Sequence, residues 1–226
     1  MVFINTELKA TYIHNVKCGG CFTREILLNY YNFKDVQRTD RHHNYESFFD
    51  DKKFINFSEN NDAHTIRKYG KYRFFTSYQH YKKEYFEDYF IFCFVRNPYD
   101  RIYSLWKFCR RDGVAGSVNL PAVPDKFEDF IYDLCDDEYL GQYMMQSQLF
   151  YIKGIEKYNG RVFKLEQQEI LQRFLVDECK TSWNTKKVND TPGPDYRKVY
   201  TPELAMLVKN KFIKEFETLN YSTDLI

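Results

Sequence analysis

The chain has 226 residues, and 33 Lys+Arg against 32 Asp+Glu leave it within one charge of neutrality. Near-neutral bulk charge points to no particular charged partner, and the length suits one α/β domain, residues 1–226, with room for a substantial core. No apolar stretch reaches the length of a membrane span and the N-terminus carries no signal-peptide pattern, so the expectation is a soluble, cytoplasmic protein. Six cysteines (18, 21, 93, 109, 135 and 179) lack the spacing of a disulfide scaffold and read as reduced thiols.

In chain order, Ala10 to Val16 reads as a short strand and Phe22 to Tyr31 as a helix with Phe22, Ile26, Leu27 and Tyr30 on one face. Residues 34–62 are polar, without periodicity, and read as loop with short helical pieces. Tyr72 to Thr76 fits a strand and Tyr89 to Val95 a stronger one. Helices follow at about 98–111, 125–135 and 138–150, the second with Asp125 three residues before Glu128 as a capping box. Arg161 to Leu165 reads as another strand, about 167–179 as a helix, and 181–195 as a loop. Thr201-Pro202 opens the last helix, striped by Leu204, Leu207, Val208, Phe212 and Phe216. Strands alternating with helices predict a mainly parallel central sheet covered by helices on both faces, with ligands outside the carboxyl ends of the strands. That places the residues after Val16 and after Val95 on one rim.

Two strand ends carry the chemistry. In Phe92-Cys-Phe-Val-Arg96-Asn97-Pro98 a strand delivers a guanidinium to a helix start, where Asn97 can cap and Pro98 fits the first turn. A bidentate cation beside a helix N-terminus suits a phosphate or similar oxyanion, and Ser104, two turns on, can offer a hydroxyl. The same pattern also fits an ordinary strand–turn–helix unit with a surface arginine. The earlier end, His14-Asn-Val-Lys17-Cys18-Gly19-Gly20-Cys21, runs a strand through adjacent glycines into a helix, with Lys17 adding positive charge. It follows P-loop logic but lacks the Walker spacing and the Ser/Thr after the lysine that would hold magnesium, which disfavours a nucleoside triphosphatase. Cys18-Gly-Gly-Cys21 between strand and helix leaves open a thioredoxin-like thiol oxidoreductase. That fold needs a cis-proline loop, however, and the first proline is Pro98. A zinc site lacks a second pair of ligands.

Together the two loops resemble the carbohydrate (Golgi-type) sulfotransferases, including heparan sulfate 2-O-sulfotransferase and its relatives. The family pattern His-x-x-Lys-x-Gly-Gly-Thr/Ser is matched by His14 to Cys21, and Arg-Asp/Asn-Pro-x-x-Arg-x-x-Ser by Arg96 to Ser104. The ending is also similar: Asn189-Asp-Thr191, Tyr196, then a helix closing on Phe216-Glu-Thr-Leu-Asn-Tyr221. The resemblance implies a P-loop-like three-layer α/β fold and 3′-phosphoadenosine 5′-phosphosulfate (PAPS) as sulfuryl donor, with no metal. It implies that Lys17, Gly19, Gly20, Cys21, Phe22 and Thr23 form the 5′-phosphosulfate loop, and that Arg96 and Ser104 hold the 3′-phosphate. Cys21 departs from the pattern, a thiol standing where the family places a better-donating hydroxyl, and the family's usual membrane anchor is not seen.

Sulfuryl transfer to a carbohydrate hydroxyl needs charge neutralisation at the leaving oxygen, a role for Lys17, and a base for the hydroxyl proton. His80, in Thr76-Ser-Tyr-Gln-His80-Tyr, has a suitable intrinsic pKa and matches a Gly-His of the 2-O-sulfotransferase branch. A surface or core-edge histidine is the competing reading; Glu84 and Glu87 read as a solvated face. From Ala63 to Lys83 six Lys/Arg and two His occur without an acidic residue, a run that is either a solvated face or a guide for an anionic glycan. No nucleic-acid-binding motif accompanies it. A nucleotide- or phosphate-binding module without catalysis remains the other alternative.

Overall fold

The computed structural model describes residues 2–5, 7–19, 23, 27, 34–36, 88–110, 123–136, 147–153, 155, 160–167, 169–170, 173, 177 and 194–225. Among the described residues five strands form one sheet: β1 (Val2–Asn5), β2 (Ala10–Ile13), β3 (Lys34–Val36), β4 (Phe90–Val95) and β5 (Gly160–Lys164). Their order is β3–β1–β2–β4–β5. β2 pairs in parallel with β4, and β4 with β5, while β1 is antiparallel to both β2 and β3. Only β1 therefore runs against the rest, and the expected mainly parallel α/β sheet is what the chain builds.

Two strands depart from the sequence reading. β1 was not anticipated, because Val-Phe-Ile-Asn is too short to show a period. It is held by tertiary partners, Phe3 stacking on Tyr12 at 5.7 Å. Its hairpin to β2 closes when Asn5 Oδ1 accepts the Leu8 N–H at 2.8 Å, with Lys9 at φ 47°. β3 falls where loop was expected; Lys-Asp-Val is a polar three-residue edge strand defined by its pairing to β1 rather than by its own pattern. β2 ends at Ile13, three residues short of the expected strand, and the chain from His14 onward is free to form the loop.

Four α-helices are complete within the described residues: α1 (Pro98–Cys109), α2 (Phe127–Asp136), α3 (Gln148–Ile152) and α4 (Pro202–Thr218). Thr23, Leu27, Glu169, Ile170, Arg173 and Asp177 are also helical, in the two helices expected there. In α1, Asn97 Oδ1 caps the Tyr99 N–H at 3.0 Å and Pro98 opens the first turn, as the sequence predicts. The capping box at Asp125 does not form. α2 begins at Phe127, and the Asp125 carboxylate instead pairs with Arg110 at 2.9 Å. The expected strand at 72–76, residues 181–193 of the expected loop at 181–195 and the basic run at 63–83 lie outside the described residues.

Both sheet faces are buried. On one, Phe3, Tyr12, Phe92 and Phe94 form a ladder, with Tyr12–Phe92 at 5.2 Å and Phe94–Phe163 at 6.0 Å. On the other, Ile4, Ile13, Ile91 and Cys93 pack against Tyr151 and Ile155. A second core joins α1, α2 and α4 through Ile102, Leu105, Phe130, Leu134, Leu204, Val208 and Phe216. Among the described residues no helix is long and apolar enough to cross a membrane.

Candidate functional site

Parallel pairing sets the carboxyl ends of β2, β4 and β5 side by side, so the loops after Ile13, Val95 and Lys164 share one rim. The first of these turns through the left-handed region twice: Lys17 has φ 64° and Gly19 φ 73°. The φ of Gly19 favours glycine for the turn, and a β-carbon there would lie 2.7 Å from Leu165 Cδ1, so that side chain would have to move aside. The Gly19 carbonyl accepts the Thr23 N–H at 2.9 Å, the first bond of the helix into which the loop runs. Lys17 extends to α1, its Nζ 4.2 Å from the Phe108 ring centroid. Phe108 is four residues beyond Ser104 on that helix, so the ammonium lies along the α1 face that carries Ser104.

The second loop is tied to the first. Arg96 Nη1 donates to the Lys17 carbonyl at 3.2 Å, while Nε and Nη2 donate to the two oxygens of Asp100 at 2.7 and 2.8 Å. Among the described residues three of its five N–H donors are thus engaged, leaving one on each terminal nitrogen, with the side chain 21% exposed. The Asn97 N–H, at the mouth of α1, donates to Glu166 Oε1 at 2.6 Å. Glu166 Oε2 in turn accepts the Tyr221 hydroxyl at 2.8 Å; burial, then the charge of Glu166 and this bond, raise the Tyr221 pKa. The dipole of α1 is therefore answered by a carboxylate of the protein itself.

Beneath the loops lies a buried polar cluster. Arg101 is fully buried; its Nε donates to the Val16 carbonyl at 3.0 Å and its Nη1 stands 3.9 Å from Glu215 Oε2. Gln148, also fully buried, accepts the Arg96 N–H at 2.9 Å and donates to the Arg96 carbonyl at 2.8 Å. Its Oε1 additionally takes the Cys18 thiol at 3.2 Å and Asn15 Nδ2 at 3.4 Å. Asn15 Nδ2 also reaches the Phe94 carbonyl at 3.0 Å. Burial pushes the Cys18 thiol up to about 12, with Arg101 and Arg96 pulling the other way. A redox nucleophile needs a depressed thiol pKa and access; Cys18 has neither, which counts against it as the attacking thiol of the thioredoxin-like alternative, while its proposed partner Cys21 lies outside the described residues.

Of the residues singled out from sequence, Lys17, Gly19 and Arg96 meet on this rim, and Ser104 lies two turns into α1, four residues before the Phe108 ring that Lys17 reaches. Thr23 is close behind, but its hydroxyl is turned back on the Gly19 carbonyl at 3.1 Å and the residue is buried. Gly20, Cys21, Phe22 and His80 lie outside the described residues. His14 is buried directly after β2, its ring 6.4 Å from that of Tyr12. Asp100, Gln148, Glu166 and Glu215 escaped the sequence reading, and Arg101 entered it only as part of a motif. Two of them left a trace: Asp100 is i+4 from Arg96, and Glu215 is a carboxylate in the middle of an apolar stripe. Gln148 and Glu166 have no local signature.

A model of the sulfotransferase family matches residues 2–222, nearly the whole chain. Searches of curated proteins and of solved structures gave no significant match. Among the described residues no group of three or more His, Cys, Asp or Glu is placed to hold a metal ion. With the α/β sheet, the glycine loop behind Lys17 and the Arg96–Ser104 helix in the order that the family resemblance requires, the chain belongs to the sulfotransferase family.

Proposed function

We propose that the protein moves a sulfuryl group from PAPS to a carbohydrate hydroxyl. The observation that carries this reading is the tie between the two strand-end loops, Arg96 Nη1 to the Lys17 carbonyl. It sets an oxyanion-type backbone turn and a lysine within one side chain's reach of a guanidinium and the Ser104 face. A donor with negative charge at both its 5′ and 3′ positions suits two such neighbouring sites. The positive φ at Lys17 and Gly19 and the two unshared Arg96 N–H groups favour the fit. The Arg96–Asp100 pairing tempers the arginine's charge, so the 3′-phosphate would be held by directed N–H and O–H groups more than by net charge.

In this scheme Lys17 neutralises charge on the oxygen that bridges sulfur and the 5′-phosphate as that bond breaks. Gly19, Gly20, Cys21, Phe22 and Thr23 wrap the 5′ end through the loop and the start of its helix. Arg96 and Ser104 hold the 3′-phosphate. His80 accepts the hydroxyl proton as the acceptor oxygen bonds to sulfur. The basic run from Arg67 to Lys83 would draw in an anionic glycan. No metal is required in this scheme.

Calorimetry with 3′-phosphoadenosine 5′-phosphate tests the donor. Wild type should bind, and Lys17→Ala and Arg96→Ala should each lose most of the affinity; an absence of binding to wild type would sink the reading. His80→Ala should bind the nucleotide as wild type does and lose transfer to polysaccharide acceptors. Retained turnover would remove His80 from the mechanism.

A further inference from the structure

The geometry points to Gln148 as a positioning residue that sets the gap between the Lys17 and Arg96 loops, and with it the span offered to the two anionic ends of the donor. The inference rests on the donor proposed above. Gln148 is fully buried, so it acts through the loops and not by touching a nucleotide. Its amide pairs with both backbone groups of Arg96, accepting from the N–H at 2.9 Å and donating to the C=O at 2.8 Å, much as a neighbouring strand would. The same Oε1 takes Cys18 Sγ and Asn15 Nδ2 from the other loop. One amide therefore spans both loops.

Glu215 fixes which way that amide faces. Its carboxylate accepts the Gln148 backbone N–H at 2.8 Å and Nε2 at 3.0 Å, so nitrogen points to Glu215 and the Arg96 carbonyl, and oxygen to the Arg96 N–H, Cys18 and Asn15. A flipped amide would set oxygen against both a carboxylate and a carbonyl, which determines the orientation. Arg101 adds a second brace, from Val16 of the first loop to Glu215. A buried amide that only satisfied its own hydrogen bonds would need no partner on two loops.

The test compares Gln148→Met, similar in volume but without hydrogen bonds, with wild type by amide hydrogen exchange of the unliganded protein and by calorimetry. Exchange should quicken together in peptides covering 12–19 and 94–100 while 202–214 keeps its protection. Affinity for 3′-phosphoadenosine 5′-phosphate should fall about tenfold or more, the scale of one to two lost hydrogen bonds. Adenosine 5′-phosphate and adenosine 3′-phosphate, each engaging one loop, should change by less than about threefold. Gln148→Asn keeps an amide but shortens its reach to both loops, and carries the same readings should the methionine variant not fold. Quickened exchange in one loop only, a uniform loss of protection, or equal losses for mono- and bisphosphates would overturn the inference. Failure of wild type to bind the bisphosphate would strike the donor assignment, leaving the exchange comparison to decide the coupling.

Discussion

Arg101→Met probes the buried cluster most directly. The side chain has no exposure, and Glu215 opposite it is 3% exposed, so removing the guanidinium strands a carboxylate away from water. Breaking a buried pair in this way costs about 3–5 kcal/mol. Here the 3.9 Å separation and the two hydrogen bonds that Glu215 keeps from Gln148 place the expected loss at the lower end, about 3 kcal/mol. For a domain of this size that corresponds to a melting midpoint lower by about 6–12 °C. Urea denaturation of the single variant and of Arg101→Met/Glu215→Gln separates charge from packing. The second substitution forfeits one hydrogen bond, about 1 kcal/mol, and removes a larger charge penalty, so the double variant should be the more stable. A loss below about 1 kcal/mol for Arg101→Met, or a double variant less stable than the single, would refute the reasoning.

Other outcomes follow from the same contacts. Gly19→Ala must hold a left-handed φ of 73° and displace Leu165, so it should cost about 1–2 kcal/mol in urea melts; an unchanged midpoint would show that the loop relaxes freely. Gly160→Ala has less room, its β-carbon falling 2.2 Å from Ile155 Cγ2 and 2.9 Å from the Ile91 carbonyl, and about 3 kcal/mol is expected. Burial holds the thiols of Cys18 up to about 12 and Cys109 up to about 11, against an ordinary 9.0. The unfolded chain then releases protons that the native state retains, so stability should fall as pH rises from about 9 towards 12. A urea midpoint equal at pH 8 and 10.5 would contradict this. In the native protein at pH 8, Cys18 should stay unmodified by a thiol reagent that labels it on unfolding, and peptide mapping checks that.

The parts legible in sequence are those whose signal is local. Asn97-Pro98 and the apolar spacing of Ile102, Leu105 and Cys109 announce α1, and the stripe from Leu204 to Phe216 announces α4. The run into Val95 announces β4 because a strand buried on both faces is apolar throughout. β1 and β3 were not legible, since their existence depends on partners elsewhere in the chain. The rim repeats the lesson: Lys17, Gly19, Arg96 and Ser104 stand in recognisable motifs, whereas Gln148 and Glu166 matter only because folding carries them beneath and beside those motifs. Even Arg96 was only half legible. Its guanidinium at a helix start can be read from the chain, but its engagement by Asp100 and the Lys17 carbonyl depends on the folded rim.

The buried tie between the loops also dictates when the site can come into being. Its bonds join residues far apart along the chain: Asn15 to Phe94 spans 79 residues, Gln148 to Arg96 spans 52 and Asn15 to Gln148 spans 133. Contacts of such separation require large loops to close before they return any stabilisation, and they form late in folding. The core that joins α1 and α2 is more local and can assemble before them. A nascent or partly refolded chain would then hold helices and some sheet while still lacking the rim. Binding of the proposed donor nucleotide would thus mark completion of folding, lagging behind the recovery of helical signal in a refolding experiment.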